Sequence, residues 1–111
     1  MAGELMTQWD STSAEAARLV HGDRGDTYGH PAVDYQRTVA LFKALTGHDL
    51  NVTDGVAFMA CVKLSRIGAA MEAGLDAKTV RDSIVDLAGY ADCLFAVWEL
   101  FPPKPTERPT S

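Results

Sequence analysis

Residues 80–100 read VRDSIVDLAGYADCLFAVWEL. Val80, Ile84, Leu87, Ala91, Leu94 and Trp98 recur at alternating steps of four and three. That spacing keeps side chains on one face of an α-helix and forms a clear apolar seam. Asp86, Asp92 and Glu99 interrupt the run, so it reads as an amphipathic helix and not as a membrane span. Asp76 or Thr79 starts the helix, and Pro102 and Pro103 end it after about Leu100.

Working outward, a preceding helix runs from Asp54 to about Ala73, capped by Thr53 or Asn51 and stopped by Gly74. Its apolar stripe is Val56, Ala60, Leu64, Ile67 and Met71. Upstream, Pro31 suits the first turn of a helix that reaches about Leu45 and stops at Gly47. Val39, Phe42 and Leu45 are its expected core residues, with Lys43 turned to water. A short helix over Ala14 to Val20, capped by Ser11 or Ser13, ends at Gly22. Between these two, HGDRGDTYGHP at residues 21–31 is a loop by its glycines, charges and proline. No segment alternates apolar and polar residues long enough to demand a strand. The expected fold is therefore all-α: a small bundle of three main helices plus a short N-terminal one. Residues 1–11 read as a flexible N-terminus, 12–101 as the helical domain and 102–111 as a disordered, Pro-rich tail without apolar anchors.

A chain of 111 residues, 47% hydrophobic, builds one domain with a modest core. A homo-oligomer is the natural way for so small a domain to cover more apolar area. The formal charge of -5 lacks the basic footprint of a duplex nucleic-acid binder. Cys61 and Cys93 both fall inside apolar helical patterns, which reads as two buried thiols in a reducing compartment. With no signal peptide and no membrane-length apolar run, the expected location is the cytoplasm, away from membranes.

Three clusters carry possible chemistry. On the last helix, Asp82 and Asp86 are four apart and stack one above the other, with Tyr90 next in the row. Stacked carboxylates repel, and a hard divalent cation offsets that; a solvated acidic face is the alternative. On the preceding helix, Lys63 and Arg66 are neighbours, and the Lys63 stem lies close to the apolar stripe. Its ammonium needs a carboxylate such as Asp86, or a phosphate. The loop brings Asp23, Arg24, Asp26, Tyr28 and His30, with Asp34 one turn into the next helix. Backbone N–H groups at that helix start form an anion site, and Tyr28 can stack on a base; a hydrogen-bonded loop capped by His30 and Asp34 is the plainer reading. The loop lacks the GK[ST] ending of a P-loop, and no CxxC, HExxH or Ser-His-Asp pattern is present.

Taken in order, GDRGDTYGHP, DY, KLSRIG and DSIVDLAGYADCL resemble a family of small phage and prophage proteins of unknown function. Through DTYG, KLSRI and DSIVDLAGY the chain is also similar to the nucleotide-modification-associated domain. More distantly, DSIVDLAGYADCL resembles the acidic helix of MazG-like all-α nucleoside triphosphate pyrophosphohydrolases. That resemblance implies a MazG-like helical fold and hydrolysis between the α and β phosphates, with Mg²⁺ held by four acidic residues. Asp82 and Asp86 match the second acidic pair, at a spacing of four instead of three. The first pair, an E-x-x-E on an earlier helix, is replaced by Asp34 with His30.

Three functions compete. As an enzyme, the chain would hold Mg²⁺ on Asp82, Asp86, Asp34 and Asp26, with Asp82 and Asp86 as the catalytic carboxylates. Arg24, Tyr28, His30, Lys63, Arg66 and Tyr90 would bind a nucleotide substrate. As a binding module, the same residues would hold a nucleotide or a nucleotide-derived small molecule without turnover. As a structural or interaction protein, the polar cluster would only fix helix packing.

Overall fold

The computed structural model describes residues 10–22 and 29–105. Four helices, α1 (Thr12–His21), α2 (Pro31–Thr46), α3 (Val52–Ala73) and α4 (Ala77–Leu100), account for nearly all of them, and no strand occurs among the described residues. Each begins where its sequence supplies an acceptor for the unpaired N–H groups of the first turn. The Ser11 hydroxyl accepts from the Ala14 N–H at 3.2 Å, and His30 Nδ1 from Ala32 at 3.0 Å. The Asp54 carboxylate accepts from the Asn51 N–H at 2.9 Å, and Asp76 from both the Thr79 N–H at 2.9 Å and its hydroxyl at 2.7 Å. Gly74 ends α3 at φ 65°, a left-handed turn that closes the short connection to α4.

α4 is the central element. It packs most extensively on α3, next on α1, and on the N-terminal part of α2. The core is Ala32, Tyr35, Val56, Cys93 and Val97, with Val20, Val52, Met59, Tyr90, Leu94 and Phe101 packed around it. Beyond Phe101, the Lys104 N–H donates to Asn51 Oδ1 at 3.3 Å, so residues 102–105 lie against the start of α3. Residues 106–111 and 1–9 fall outside the described residues. No helix among the described residues is long and apolar enough to cross a membrane.

The faces differ from the sequence expectation in four places. On α4 the buried row is Val85, Gly89, Cys93 and Val97, at a constant step of four, while Ile84, Ala91 and Trp98 are exposed. The helix carries two apolar faces, and the chain covers the one that holds its glycine, because α1 approaches there. A Cβ on Gly89 would sit 3.2 Å from Val20 Cγ2. On α2 the buried residues are Ala32 and Tyr35, whereas Phe42 and Leu45 are exposed, Leu45 by 87%. α2 crosses α3 where Val39 and Tyr35 meet Gly55, and its C-terminal half runs past the core. On α3 Val56 is buried, but Leu64 and Met71 face outward. Of the two thiols only Cys93 is buried; Cys61 is exposed. Lys43 does point to water, where it pairs with Asp49 at 3.0 Å.

Candidate functional site

A cavity of about 380 Å³ opens where the N-terminal end of α2 meets α3 and α4. Its polar side chains come from three helices: Asp34 and Tyr35 from α2, Lys63 from α3, Asp86 and Tyr90 from α4. Cys93 and Gly89 form part of the wall, and Val20 of α1 closes one side. The α4 contribution follows from helical periodicity. Asp86, Tyr90 and Cys93 recur at steps of four and three, so one face of α4 presents a carboxylate, a phenol and a thiol in sequence.

The centre of the site is an ion pair. Lys63 Nζ lies 2.8 Å from Asp86 Oδ2, with the two side chains only 12% and 19% exposed. The lysine stem crosses the apolar α3–α4 contact and needs a partner at its end, which Asp86 supplies. At that depth the attraction is screened far less than on the surface, and removing either partner strands a charge. Asp34, in the wall of the same cavity, pairs with Arg37 at 3.6 Å. A second cavity of about 330 Å³ shares Val20, Gly29 and Pro31 with the first and adds His21, His30, Asp92 and Ala96. His21 and Asp92 approach to 3.6 Å there. The Ala32 N–H donates to His30 Nδ1, which places the neutral ring's proton on Nε2.

Of the residues singled out from sequence, the structure brings Asp34, Lys63, Asp86 and Tyr90 to one cavity and His30 to its neighbour. Asp82 and Arg66 are exposed and line neither. Asp82 stands one turn before Asp86 on α4, and its side chain is exposed. Arg24, Asp26 and Tyr28 lie outside the described residues. Tyr35 and Cys93 were not legible as site residues; Tyr35 stands one turn from Pro31, and Cys93 continues the Asp86–Tyr90 row.

Of the four expected metal ligands, Asp34 and Asp86 line the cavity, Asp82 is exposed and does not, and Asp26 lies outside the described residues. No three carboxylate, histidine or cysteine side chains converge as a cation site among the described residues. Asp34 also pairs with Arg37, and Asp86 is engaged by a lysine that a cation would have to displace. A magnesium ion keeps several waters and takes one or two carboxylates together with substrate phosphates.

The chain is similar to the Gene 55 protein of Mycobacterium phage D29. The two are 32% identical over 91 residues, which cover 81% of this chain and 55% of the relative. It therefore spans about half of that relative's length. No solved structure matches it. Residues 12–97, the whole of α1 to α3 and α4 as far as Val97, match the domain of unknown function DUF6378, and the chain belongs to that family.

Proposed function

We propose that this chain binds a nucleotide or a nucleotide-derived small molecule without turning it over. The observation that carries the reading is the Lys63–Asp86 pair set in the wall of a cavity of about 380 Å³ between Tyr35 and Tyr90. Such a site holds each chemical part of a nucleotide. The half-buried Tyr90 ring offers an apolar face for a base, with the core residue Tyr35 also in the wall. The Asp86 carboxylate accepts from ring or sugar N–H and O–H donors, and the Lys63 ammonium meets a phosphate oxygen. The nearby start of α2 adds the positive end of its dipole. The likeness of KLSRI and DSIVDLAGY to the nucleotide-modification-associated domain supports the same ligand class.

The MazG-like alternative, a Mg²⁺-dependent pyrophosphohydrolase, rests on the acidic helix alone. A thermal-shift screen against nucleoside mono-, di- and triphosphates, in Mg²⁺ and in EDTA, tests both. A ligand at about 100 times its Kd raises stability by about 2.7 kcal/mol. Stabilisation that persists in EDTA with no release of phosphate or pyrophosphate supports the binder. Stabilisation confined to Mg²⁺, with product formed, overturns it in favour of the hydrolase. No stabilisation by any nucleotide returns the cluster to a packing role.

A further inference from the structure

α4 is covered on three sides by its own chain. α1 lies against Gly89, with Val20 and Ala16 the nearest atoms; α2 reaches the Cys93 side through the core cluster; α3 joins it through Lys63 and Asp86. The fourth side carries Ile84, Ala88, Ala91, Phe95 and Trp98, at steps of four, three, four and three. This is the repeat that keeps one face of a helix against another helix. Phe95 is 69% exposed, Trp98 51% and Ile84 36%, and no charged residue interrupts the five. Asp92 and Glu99 stand only at its border.

We infer that this stripe is the self-association surface of the protein, and that two copies pack α4 against α4 antiparallel about a two-fold axis at Ala91. Three observations choose a second copy as the occupant. The first is size order. Two alanines lie at the middle of the stripe, with Ile84 on one side and Phe95 and Trp98 on the other. Small residues let two helix backbones approach closely at their crossing. An antiparallel mate then sets Ile84 against the aromatic rings of the partner subunit, so the stripe complements itself. A two-fold interface demands that property, since the same patch serves both sides.

The second is area. With about 200 Å² or more per aromatic side chain, the exposed parts of Phe95 and Trp98, together with Ile84, offer roughly 300 Å² of apolar surface per copy. Two copies remove roughly twice that, and apolar atoms make up about 65% of a homodimer interface, so the total reaches roughly 900 Å². That lies at the lower edge of specific association, about 1,000 Å². The third is extent. The radius of gyration is 16.9 Å. A compact chain of about 100 residues has about 13 Å, so this one leaves more of its helices unpartnered than a self-sufficient domain does. In the pair, α4 gains its missing fourth neighbour, and the nucleotide-sized cavity, on the opposite side of α4, stays open in each copy.

Sedimentation equilibrium of the full chain over micromolar concentrations tests this. The wild type is expected at twice the chain mass. Phe95→Glu is expected at the chain mass with an unchanged far-UV helix signal. Phe58→Glu, at an exposed aromatic residue of α3, is expected to remain double. A second measurement keeps the wild-type packing residues. In a Cys61→Ser background, Ala91→Cys should form an intermolecular disulfide within minutes of mild oxidation, because the two-fold axis brings its own copy within disulfide reach. Cysteine placed instead at exposed Glu72 of α3 should not. A monomeric wild type, a Phe95→Glu variant that stays paired, loss of pairing in Phe58→Glu, or no Ala91→Cys cross-link would each overturn the inference.

Discussion

The two faces of α4 have nearly the same chemistry and opposite fates. Val85, Gly89, Cys93 and Val97 are closed off by α1, α2 and α3, and Val97 has no exposed surface at all. Ile84, Ala91, Phe95 and Trp98, a quarter to half a turn around the helix, are left open. The larger side chains are on the open face. Hydrophobicity alone would have put Trp98 and Phe95 inside. What decides the buried face is access: small residues let neighbouring helices approach, and at Gly89 a methyl group would already crowd Val20.

The comparison breaks most sharply at Val97. Val97→Asp buries an unpaired charge where nothing compensates it, and should abolish cooperative unfolding at 25 °C, read by circular dichroism. A folded Val97→Asp protein would mean that this face is open to water. The milder Val97→Ala should cost about 2 kcal/mol.

The next largest effect is at the ion pair on the same helix. Asp86→Asn keeps the shape but leaves the Lys63 ammonium without its charge partner, and should cost about 1–3 kcal/mol, less than a fully enclosed pair because both side chains retain some exposure. Adding Lys63→Met should recover most of that loss in a double-mutant cycle monitored by urea denaturation. If the single change is neutral and nucleotide-induced stabilisation is lost, Asp86 serves the ligand; if it destabilises and no nucleotide stabilises either protein, the pair serves packing.

Leu87 and Ile84 then sharpen the contrast, being the half-buried and exposed members of the seam read from the sequence. Leu87→Ala should destabilise by about 1–2 kcal/mol. Ile84→Ala should leave unfolding of the monomeric Phe95→Glu background within about 0.5 kcal/mol. Equal losses at both would show that a single chain covers both faces.

The smallest effect is at the start of the helix. The Thr79 hydroxyl and N–H, donating to Asp76, hold its carboxyl below the ordinary value of 3.8. A carboxylate with a depressed folded value stabilises above its unfolded value, and the contribution disappears as pH falls through the folded one. Thermal melts from pH 5 down to pH 2 should therefore lose a small increment in the wild type that Asp76→Asn, which still accepts the cap bond, does not lose.

The sequence by itself determined the helices and their ends. Ser11, His30 with Pro31, Asn51 with Asp54, and Asp76 act on N–H groups within a few residues, and Gly47 and Gly74 end helices through their own backbone freedom. Such local interactions are complete within one turn and need no tertiary context. The Lys63–Asp86 pair was also legible, because a lysine beside an apolar stripe must find an acceptor. Only the tertiary structure decided which side chains lie inside and which line the cavity. Asp82 and Asp86 share a helical row, and nothing in their spacing says that only Asp86 lines the cavity. Phe42 and Leu45 fit a core pattern, and nothing local says that α2 crosses α3 at Val39 and then runs beyond it. Cys93 joins the site because α2, α3 and α4 converge there. Periodicity fixes the angle of a side chain around its own axis, but burial depends on where other helices, tens of residues away in the chain, come to rest.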